Sequence, residues 1–256
     1  MICARRTRTW QWLMVLAPSL ALSQQPAPAT VSAALERHRF SSMAMGPVNP
    51  PWRVAGLPGQ KLPLTRFTIV RNGDTPVLQL QADASYANLV LDMGGTRLPP
   101  DATLRWRWQL LNAPEATDLR SRRGDDSALK VCALFDMALQ GMSFGEQTRL
   151  RMARALSGEP LPAATLCYVW DRQLPAGSEL PNAFSTRVRY LVLSQGPAQP
   201  GQWQTLERNL GRDFLRAFGH ETTVVPPLLA LAVGADTDNT GSHSLAYVGD
   251  LSLTTP

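Results

Sequence analysis

Short runs in which hydrophobic and polar residues alternate dominate the chain from about Phe40 onward. The clearest run alternates four apolar residues with three polar ones: Leu104, Arg105, Trp106, Arg107, Trp108, Gln109 and Leu110. Successive side chains of a strand point to opposite faces of its sheet. This run therefore predicts a strand with both tryptophans on a buried face and both arginines on a polar face.

Similar runs predict a series of further strands. They are Arg66–Val70, Val77–Ala82, Leu129–Asp136, Leu166–Trp170, Arg187–Leu193, Trp203–Leu210, Leu228–Val233 and Tyr247–Leu253. Asn72-Gly73-Asp74 separates the first two and predicts a hairpin, because Asn and Gly tolerate positive φ. Pro226-Pro227 should mark either the beginning of a strand or a sheet edge, since proline cannot donate to a strand ladder.

Two helices interrupt the strands. Ser143-Phe144-Gly145-Glu146 is a capping box, and it predicts a helix that runs to Leu156 and ends at Gly158. A shorter helix is predicted over Asp213–Phe218. The pattern indicates an all-β protein, with a single β-sandwich domain over 37–256 and one or two short inserted helices. A jelly roll, galactose-binding-like or concanavalin-like, is the expected form.

The N-terminus has the pattern of a secretory signal peptide over residues 1–23. A basic segment precedes a short apolar run, Trp12–Leu22, and Ala21-Leu22-Ser23 offers small residues for cleavage. The apolar run is about half the roughly 20 residues that span a bilayer, so we expect no stable membrane anchor. Residues 24–36 are expected to form an Ala/Pro-rich linker. The predicted location is periplasmic or secreted.

Composition and charge exclude several classes of protein and one class of binding partner. The 256 residues are 44% hydrophobic and 18% charged, with 18 glycines and 21 prolines, which excludes a disordered protein, a coiled coil and a collagen-like fibre. The net charge of +5 would favour nucleic acid, but Arg5, Arg6 and Arg8 supply three of those charges. Without residues 1–23 the charge is +2, from 22 basic and 20 acidic residues. We therefore expect no nucleic-acid partner.

Two cysteines, Cys132 and Cys167, remain after the signal peptide. An oxidising compartment permits them to pair, provided that their two strands are neighbours in the sheet. Otherwise they are buried free thiols that behave as small hydrophobic residues. The sequence leaves these alternatives open, and no Cys/His spacing indicates zinc.

An acidic loop near the C-terminus suggests a structural calcium ion. Asp236-Thr-Asp238-Asn-Thr-Gly imitates the first six positions of a calcium loop, but Tyr247 occupies the twelfth position, which excludes an EF-hand. A different Ca²⁺ site would use Asp236, Asp238 and Asp250. The alternative is an Asx-rich turn whose side chains bond their own backbone.

Few residues indicate catalysis. Asp125, Asp126 and Asp171 are the candidate catalytic carboxylates, and turn formation is the alternative role for Asp125 and Asp126. The HExxH motif is absent from the sequence.

Ligand binding has four candidate residues. Arg105 and Arg107 can bind acidic sugars if their face forms a groove. Trp170 with Asp171 suggests a stacking platform beside a polar handle, with core packing as the alternative for the tryptophan.

A succession of short motifs resembles one family of exported bacterial proteins, known as domain of unknown function 3047. The motifs are Leu104-Arg-Trp-Arg-Trp108, Asp118-Leu-Arg with Arg123-Gly-Asp-Asp126, Leu166-Cys-Tyr-Val-Trp170, Trp203 through Arg208-Asn209, Asp213-Phe214, Phe218-Gly219, and Asp236-Thr-Asp-Asn-Thr240 with Tyr247-Val-Gly-Asp250. The resemblance covers roughly Trp52 to the C-terminus and implies a single β-sandwich, without an activity. Both cysteines depart from the family pattern.

These observations predict an exported β-sandwich that binds a saccharide or an envelope glycan without cleaving it. The wider likeness is to carbohydrate-binding jelly rolls, which is an analogy between folds. Two alternatives stay open: a polysaccharide-cleaving enzyme, either a hydrolase or a lyase, and an envelope assembly partner. The enzyme requires two carboxylates that face one cleft.

Overall fold

The structure is a computed structural model that describes residues 29–57, 59–139, 142–157 and 161–254. The signal peptide predicted at 1–23 lies outside these residues. Two sheets face each other as a β-sandwich, which confirms the all-β prediction. In sheet A the order is β1 (Gly46–Pro47), β3 (Arg66–Asn72), β4 (Thr75–Asp83), β13 (His243–Val248), β6 (Thr103–Asn112) and β11 (Gln204–Asn209), and β14 (Ser252–Thr254) also pairs with β6.

Sheet B is the second layer. Its strand order is β2 (Arg53–Ala55), β5 (Tyr86–Thr96), β12 (Leu228–Asp236), β7 (Lys130–Phe135), β8 (Ala164–Asp171), β10 (Val188–Gln195) and β9 (Glu179–Pro181). The pairings are antiparallel except for β8 with β10, which run parallel. The hairpin predicted at Asn72-Gly73-Asp74 is confirmed, and Gly73 has a φ of 60° at its turn.

The main core lies between the sheets and is rich in aromatic rings. Trp106 and Trp108 of β6 are buried in it, as the alternating pattern predicts. Their ring centroids lie 5.2 Å from that of Tyr168 and 6.4 Å from that of Trp170, respectively, and both partners come from β8 of sheet B. These contacts join the two layers, and they leave the odd-numbered residues of β6 on the outer face of sheet A.

A second, smaller core covers the face of sheet B that is turned away from sheet A. Cys132 on β7 lies directly opposite Cys167 on β8, and the two form a disulfide. The disulfide packs with Val169 and Tyr190, and Leu119 from the β6–β7 connection covers it. The strands are neighbours, so the condition for pairing that the sequence left open is met.

Three helices complete the described chain. The first, α1 (Ala29–Arg37), corrects the predicted linker over residues 29–36, because Leu35 is buried in the main core and holds this segment against the sandwich. The rest of that predicted linker, residues 24–28, lies outside the described residues. The capping box is confirmed at α2 (Phe144–Ser157), where Ser143 and Glu146 bond each other. The last, α3 (Leu210–Phe218), begins three residues earlier than predicted.

Two strand predictions need correction. The run Tyr247–Leu253 is divided, because Val248 pairs with Trp108 whereas Ser252 pairs with Arg105, so one extra residue bulges out between β13 and β14. Strand β5 is missing from the prediction. Its centre, Leu89-Val90-Leu91, is buried on both faces and therefore shows no alternation.

Candidate functional site

A cleft of about 310 Å³ lies on the outer face of sheet A, where the bulge between β13 and β14 meets β6. Its walls come from five separate parts of the chain. The lining residues are Ser41, Thr75, Pro76, Arg105, Trp106, Arg107, Thr205, Gly249, Asp250 and Ser252. The structure thus brings together both arginines that the sequence predicts as ligand-binding residues, and it adds Asp250 to them.

Arg105 is engaged by a carboxylate on the neighbouring strand. Its Nε and Nη2 donate to the two carboxylate oxygens of Glu207 at 2.8 and 3.1 Å, because the two residues are register partners in β6 and β11. These hydrogen bonds raise the pKa of Arg105 and lower that of Glu207. Both side chains are about half exposed, so the pair lies at the mouth of the cleft.

Arg107 has different neighbours. Its guanidinium carbon lies 4.6 Å from the centroid of the Trp203 ring, in a cation–π arrangement. Its side chain also crosses Gly249, where an added Cβ would lie only 2.7 Å from the Arg107 Cγ. Within the described residues, no carboxylate oxygen lies within 4.0 Å of this guanidinium. Arg107 is therefore fixed in position but has no counter-ion.

Asp250 closes the cleft from the bulge. Its Oδ1 accepts the backbone N–H of Ser41 at 2.9 Å and its Oδ2 accepts the Ser41 hydroxyl at 2.5 Å. Since Ser41 belongs to a 3₁₀ turn over Phe40–Ser42, these bonds hold the N-terminal segment against the end of the chain. The carboxylate remains partly exposed and can accept further hydrogen bonds.

This position corrects the proposed calcium site. Asp236 and Asp238 precede β13, whereas Asp250 follows it, so the six residues His243–Val248 separate them by about 17 Å of strand. Asp236 instead forms a buried ion pair with Lys130, with its Oδ2 3.0 Å from Nζ. Across the part of the chain that the structure describes, no group of three or more His, Cys, Asp or Glu side chains is placed to hold a metal ion.

Trp170 and Asp171 do not form a binding platform. Trp170 points into the main core, where its Nε1 donates to the carbonyl of Gly196 at 3.0 Å. Asp171 is buried and accepts the backbone N–H groups of Gln173 and Leu174, which closes the turn after β8. Core packing is therefore the role of the tryptophan, and Asp171 stabilises a turn.

The two adjacent aspartates predicted as catalytic candidates form parts of buried turns. Asp126 accepts the backbone N–H groups of Asn239 and Thr240, at 3.0 and 2.8 Å, so it fixes the β12–β13 loop. Asp125 accepts hydrogen bonds from Asn182 and from the Tyr190 hydroxyl. The two carboxylates bond different loops and do not face one cleft, as a glycosidase pair would.

Asp125 nevertheless has unusual electrostatics. Burial, together with the nearby charge of Asp236, raises the pKa of Asp125 to about 7. The cluster also contains Lys130, whose Nζ lies 5.0 Å from the centroid of the Tyr86 ring. Lys130 was not among the predicted site residues, although a lysine within the apolar strand β7 is a signal that the sequence already contains.

A second cavity, also about 310 Å³, lies between α3 and the edge strands β9 and β10. Its charged groups are already paired: Arg216 with Glu179, Arg189 with Glu221, and Asp213 with Arg208. Asp213 also accepts the Tyr168 hydroxyl at 2.9 Å. The sheet A cleft, in contrast, contains Arg107, a cation without a counter-ion among the described residues, and is the candidate functional site.

A model of the family described as "Protein of unknown function (DUF3047)" matches residues 50–252. The chain belongs to this family. The match confirms the resemblance found in the sequence, and it covers the strands from β2 to β13. It assigns no activity to the fold. A search of the curated proteins finds no match.

Solved structures give only distant similarities. The Bacillus licheniformis family 12 xyloglucanase has 9% identity and a TM-score of 0.45, over 83% of this chain and 99% of that one. Endoglucanase 3 of family GH12 from Trichoderma harzianum has 9% identity and a TM-score of 0.40, over 80% and 98%. The Rhodothermus marinus endoglucanase cel12A has 14% identity and a TM-score of 0.39, over 79% and 95%. At these values the similarity says nothing about activity.

The described helices also bear on membrane association. Among them, none combines the length and the apolar character that a bilayer-spanning segment needs.

Proposed function

We propose that the protein binds a saccharide or an envelope glycan, without cleaving it, in the cleft on sheet A. One observation carries this proposal: Arg105, Arg107 and Asp250 line the same cleft together with Thr75 and Thr205. Sugars present both donors and acceptors, and this lining offers both. Export to the periplasm or beyond, predicted from residues 1–23, would bring the cleft to such glycans.

The size of the cleft agrees with this ligand class. A volume of about 310 Å³ is near the lower limit of small-molecule sites, which begin at roughly 300 Å³. It suits one sugar unit or the end of a glycan chain rather than a long buried polymer. The cleft is rigid at its base, because β6, β11 and β14 form a continuous ladder beneath it.

The arrangement of carboxylates favours binding over cleavage. Among the described residues that line the cleft, Asp250 is the only carboxylate, and Glu207 at its mouth is paired with Arg105. Glycoside hydrolysis commonly uses two carboxyl groups on opposite sides of the bond. Asp125, Asp126 and Asp171 bond turns elsewhere. We therefore propose a binding protein, with the polysaccharide-cleaving enzyme and the assembly partner as outcomes of the test.

The test is a glycan array followed by calorimetric titration of the mature protein, with and without calcium. We expect binding that is independent of calcium and that Asp250→Ala weakens at least tenfold. Arg212→Gln, on the exposed side of α3, is the matched control and should bind as the native protein does. Failure to bind any glycan would overturn the proposal. Release of new reducing ends from a polysaccharide would replace it with the enzyme.

A further inference from the structure

We infer that the sheet A cleft selects saccharides that carry a carboxylate, such as uronic acids, and that Arg107 binds this carboxylate. The inference rests on the proposed function and names its substrate class. Two observations carry it: Arg107 has no counter-ion in the described chain, and its side chain is held in a fixed position.

The comparison between the two arginines identifies the binding residue. Arg105 already uses its Nε and Nη2 on the carboxylate of Glu207. Arg107 has no carboxylate within ion-pair distance in the described chain, and its contacts are with a ring face and a glycine. The planar guanidinium can therefore offer two parallel N–H groups to a carboxylate, the geometry that arginine matches best.

The position of Arg107 is set before any ligand arrives. Stacking on Trp203 holds one face of the guanidinium, and the Trp203 Nε1 in turn donates to Asn72 Oδ1 at 3.3 Å. Gly249 lets the aliphatic part of the side chain lie against the backbone of the bulge, since a Cβ there would overlap it. A side chain that is already ordered loses little conformational entropy on binding, which favours affinity.

The other cleft groups determine how the sugar is oriented. Asp250 repels a carboxylate, so the acidic group of the ligand is directed to Arg107 and away from the Asp250 side chain. The hydroxyl groups of Thr75, Thr205 and Ser252 and the oxygens of Asp250 then remain for sugar hydroxyls. A neutral sugar would leave the Arg107 charge without its partner.

The experiment compares two ligands of equal length, a trimer of galacturonic acid and the neutral trimer of galactose, by calorimetric titration of the mature protein. We expect the acidic trimer to bind roughly ten- to a hundredfold more tightly, the range that one charge-assisted contact supplies. The preference should decrease at high salt, because the interaction lies near the surface. R107Q should abolish the preference, R107K should retain part of it, and the R212Q control should keep it.

Gly249→Ala tests the positioning of Arg107. The substitution should reduce the preference for the acidic trimer with little effect on the neutral one, and the double variant R107Q/G249A should be no worse than R107Q. A merely structural role of Gly249 would lower the melting temperature and weaken both ligands equally.

The outcomes separate this inference from the proposed function. Equal binding of both trimers would overturn the inference and leave saccharide binding in place. An acidic preference that survives in R107Q would overturn the role of Arg107. Binding of a sulfated trimer but not of the uronate would overturn the carboxylate assignment. Failure of all the saccharides to bind would overturn the proposed function as well.

Discussion

Arg105 and Arg107 lie two residues apart on the same face of β6, yet their neighbours give them different chemistry. The strand opposite Arg105 supplies Glu207, whereas Arg107 lies across from Thr205 and under the ring of Trp203. The alternation of β6 predicts that both side chains share a face, and the structure confirms this. Which of them has a counter-ion depends on the register of β11, and local alternation does not encode that register.

Asp125 shows how burial changes a carboxylate that serves a structural role. Its pKa of about 7 lies above the ordinary value of 3.8, so the folded protein binds this proton more tightly than the unfolded chain does. The free energy of unfolding contributed by Asp125 therefore falls as the pH rises from about 4 to about 7. Below that window its contribution is fully present.

We expect Asp125→Asn to flatten the pH dependence of stability in this window. The amide does not ionise, so the slope should decrease by up to about 1.4 kcal/mol per pH unit, the limit for one proton. Denaturant unfolding of both proteins between pH 4 and pH 8 measures it. Asp101→Asn, at an exposed position before β6, is the matched control. Parallel curves for D125N and the native protein would contradict the shifted pKa.

At the scale of elements, the alternating strands were predictable and the segments that depend on distant contacts were not. Strand β6 alternates clearly and lies where predicted. Strand β8 also lies where predicted, although it is buried on both faces. The N-terminal residues 29–37 have an Ala-rich composition that suits a linker or a helix, and only the burial of Leu35 against the sandwich decides for α1. The bulge at Gly249–Leu251 was also missed. Its extra residue can be recognised only from the pairing with the partner strand β6, which the sequence does not show.

The disulfide between β7 and β8 gives a prediction at this scale. It closes a segment of 35 residues, for which loop-closure entropy suggests about 3 to 4 kcal/mol. We expect the double variant C132A/C167A to lose roughly 2 to 4 kcal/mol of unfolding free energy in denaturant titration. It should keep saccharide affinity, because the disulfide lies on the outer face of sheet B and the cleft on that of sheet A.

Two measurements check this interpretation of the disulfide. In the first, the native protein is reduced in denaturant and then refolded with the reductant present. Its stability should then equal that of C132A/C167A. Reductant should leave C132A/C167A itself unchanged. Equal stability of the double variant and the oxidised protein would show that the bond does not constrain the unfolded chain.

For the whole molecule, the cleft is a product of topology. Ser41, Thr75, Arg107, Thr205 and Asp250 are spread over more than 200 positions of sequence, and the order of sheet A together with the 3₁₀ turn brings them to one place. Alternation and composition predicted the sandwich, because the strands and turns from which it is built depend on residues that are neighbours in the sequence. Asp250 was grouped with Asp236 and Asp238 as a calcium ligand, because the sequence does not show that the length of β13 separates them.

The bond between Asp250 and Ser41 joins the two ends of the described chain and forms one wall of the cleft. Asp250→Ala removes both acceptors, and a hydrogen bond to a charged group contributes about 1.5 to 3 kcal/mol. We therefore expect the Ser41 amide to exchange roughly ten- to a hundredfold faster in D250A, measured by hydrogen exchange. Asp250→Asn keeps one oxygen for the Ser41 N–H and should show a smaller increase.

The Arg212 amide is the internal reference, because Asn209 Oδ1 accepts it at 2.7 Å on α3, outside the cleft. Its exchange should be the same in all three proteins if the effect is local. Faster exchange at both amides would mean that D250A lowers the stability of the whole sandwich. Unchanged exchange at Ser41 would mean that other contacts hold the N-terminal wall. In the expected case, D250A loses saccharide affinity for two reasons: the ligand loses an acceptor, and the wall formed by Ser41 opens. D250N separates these two effects, because it removes the charge but keeps an oxygen that can hold the wall.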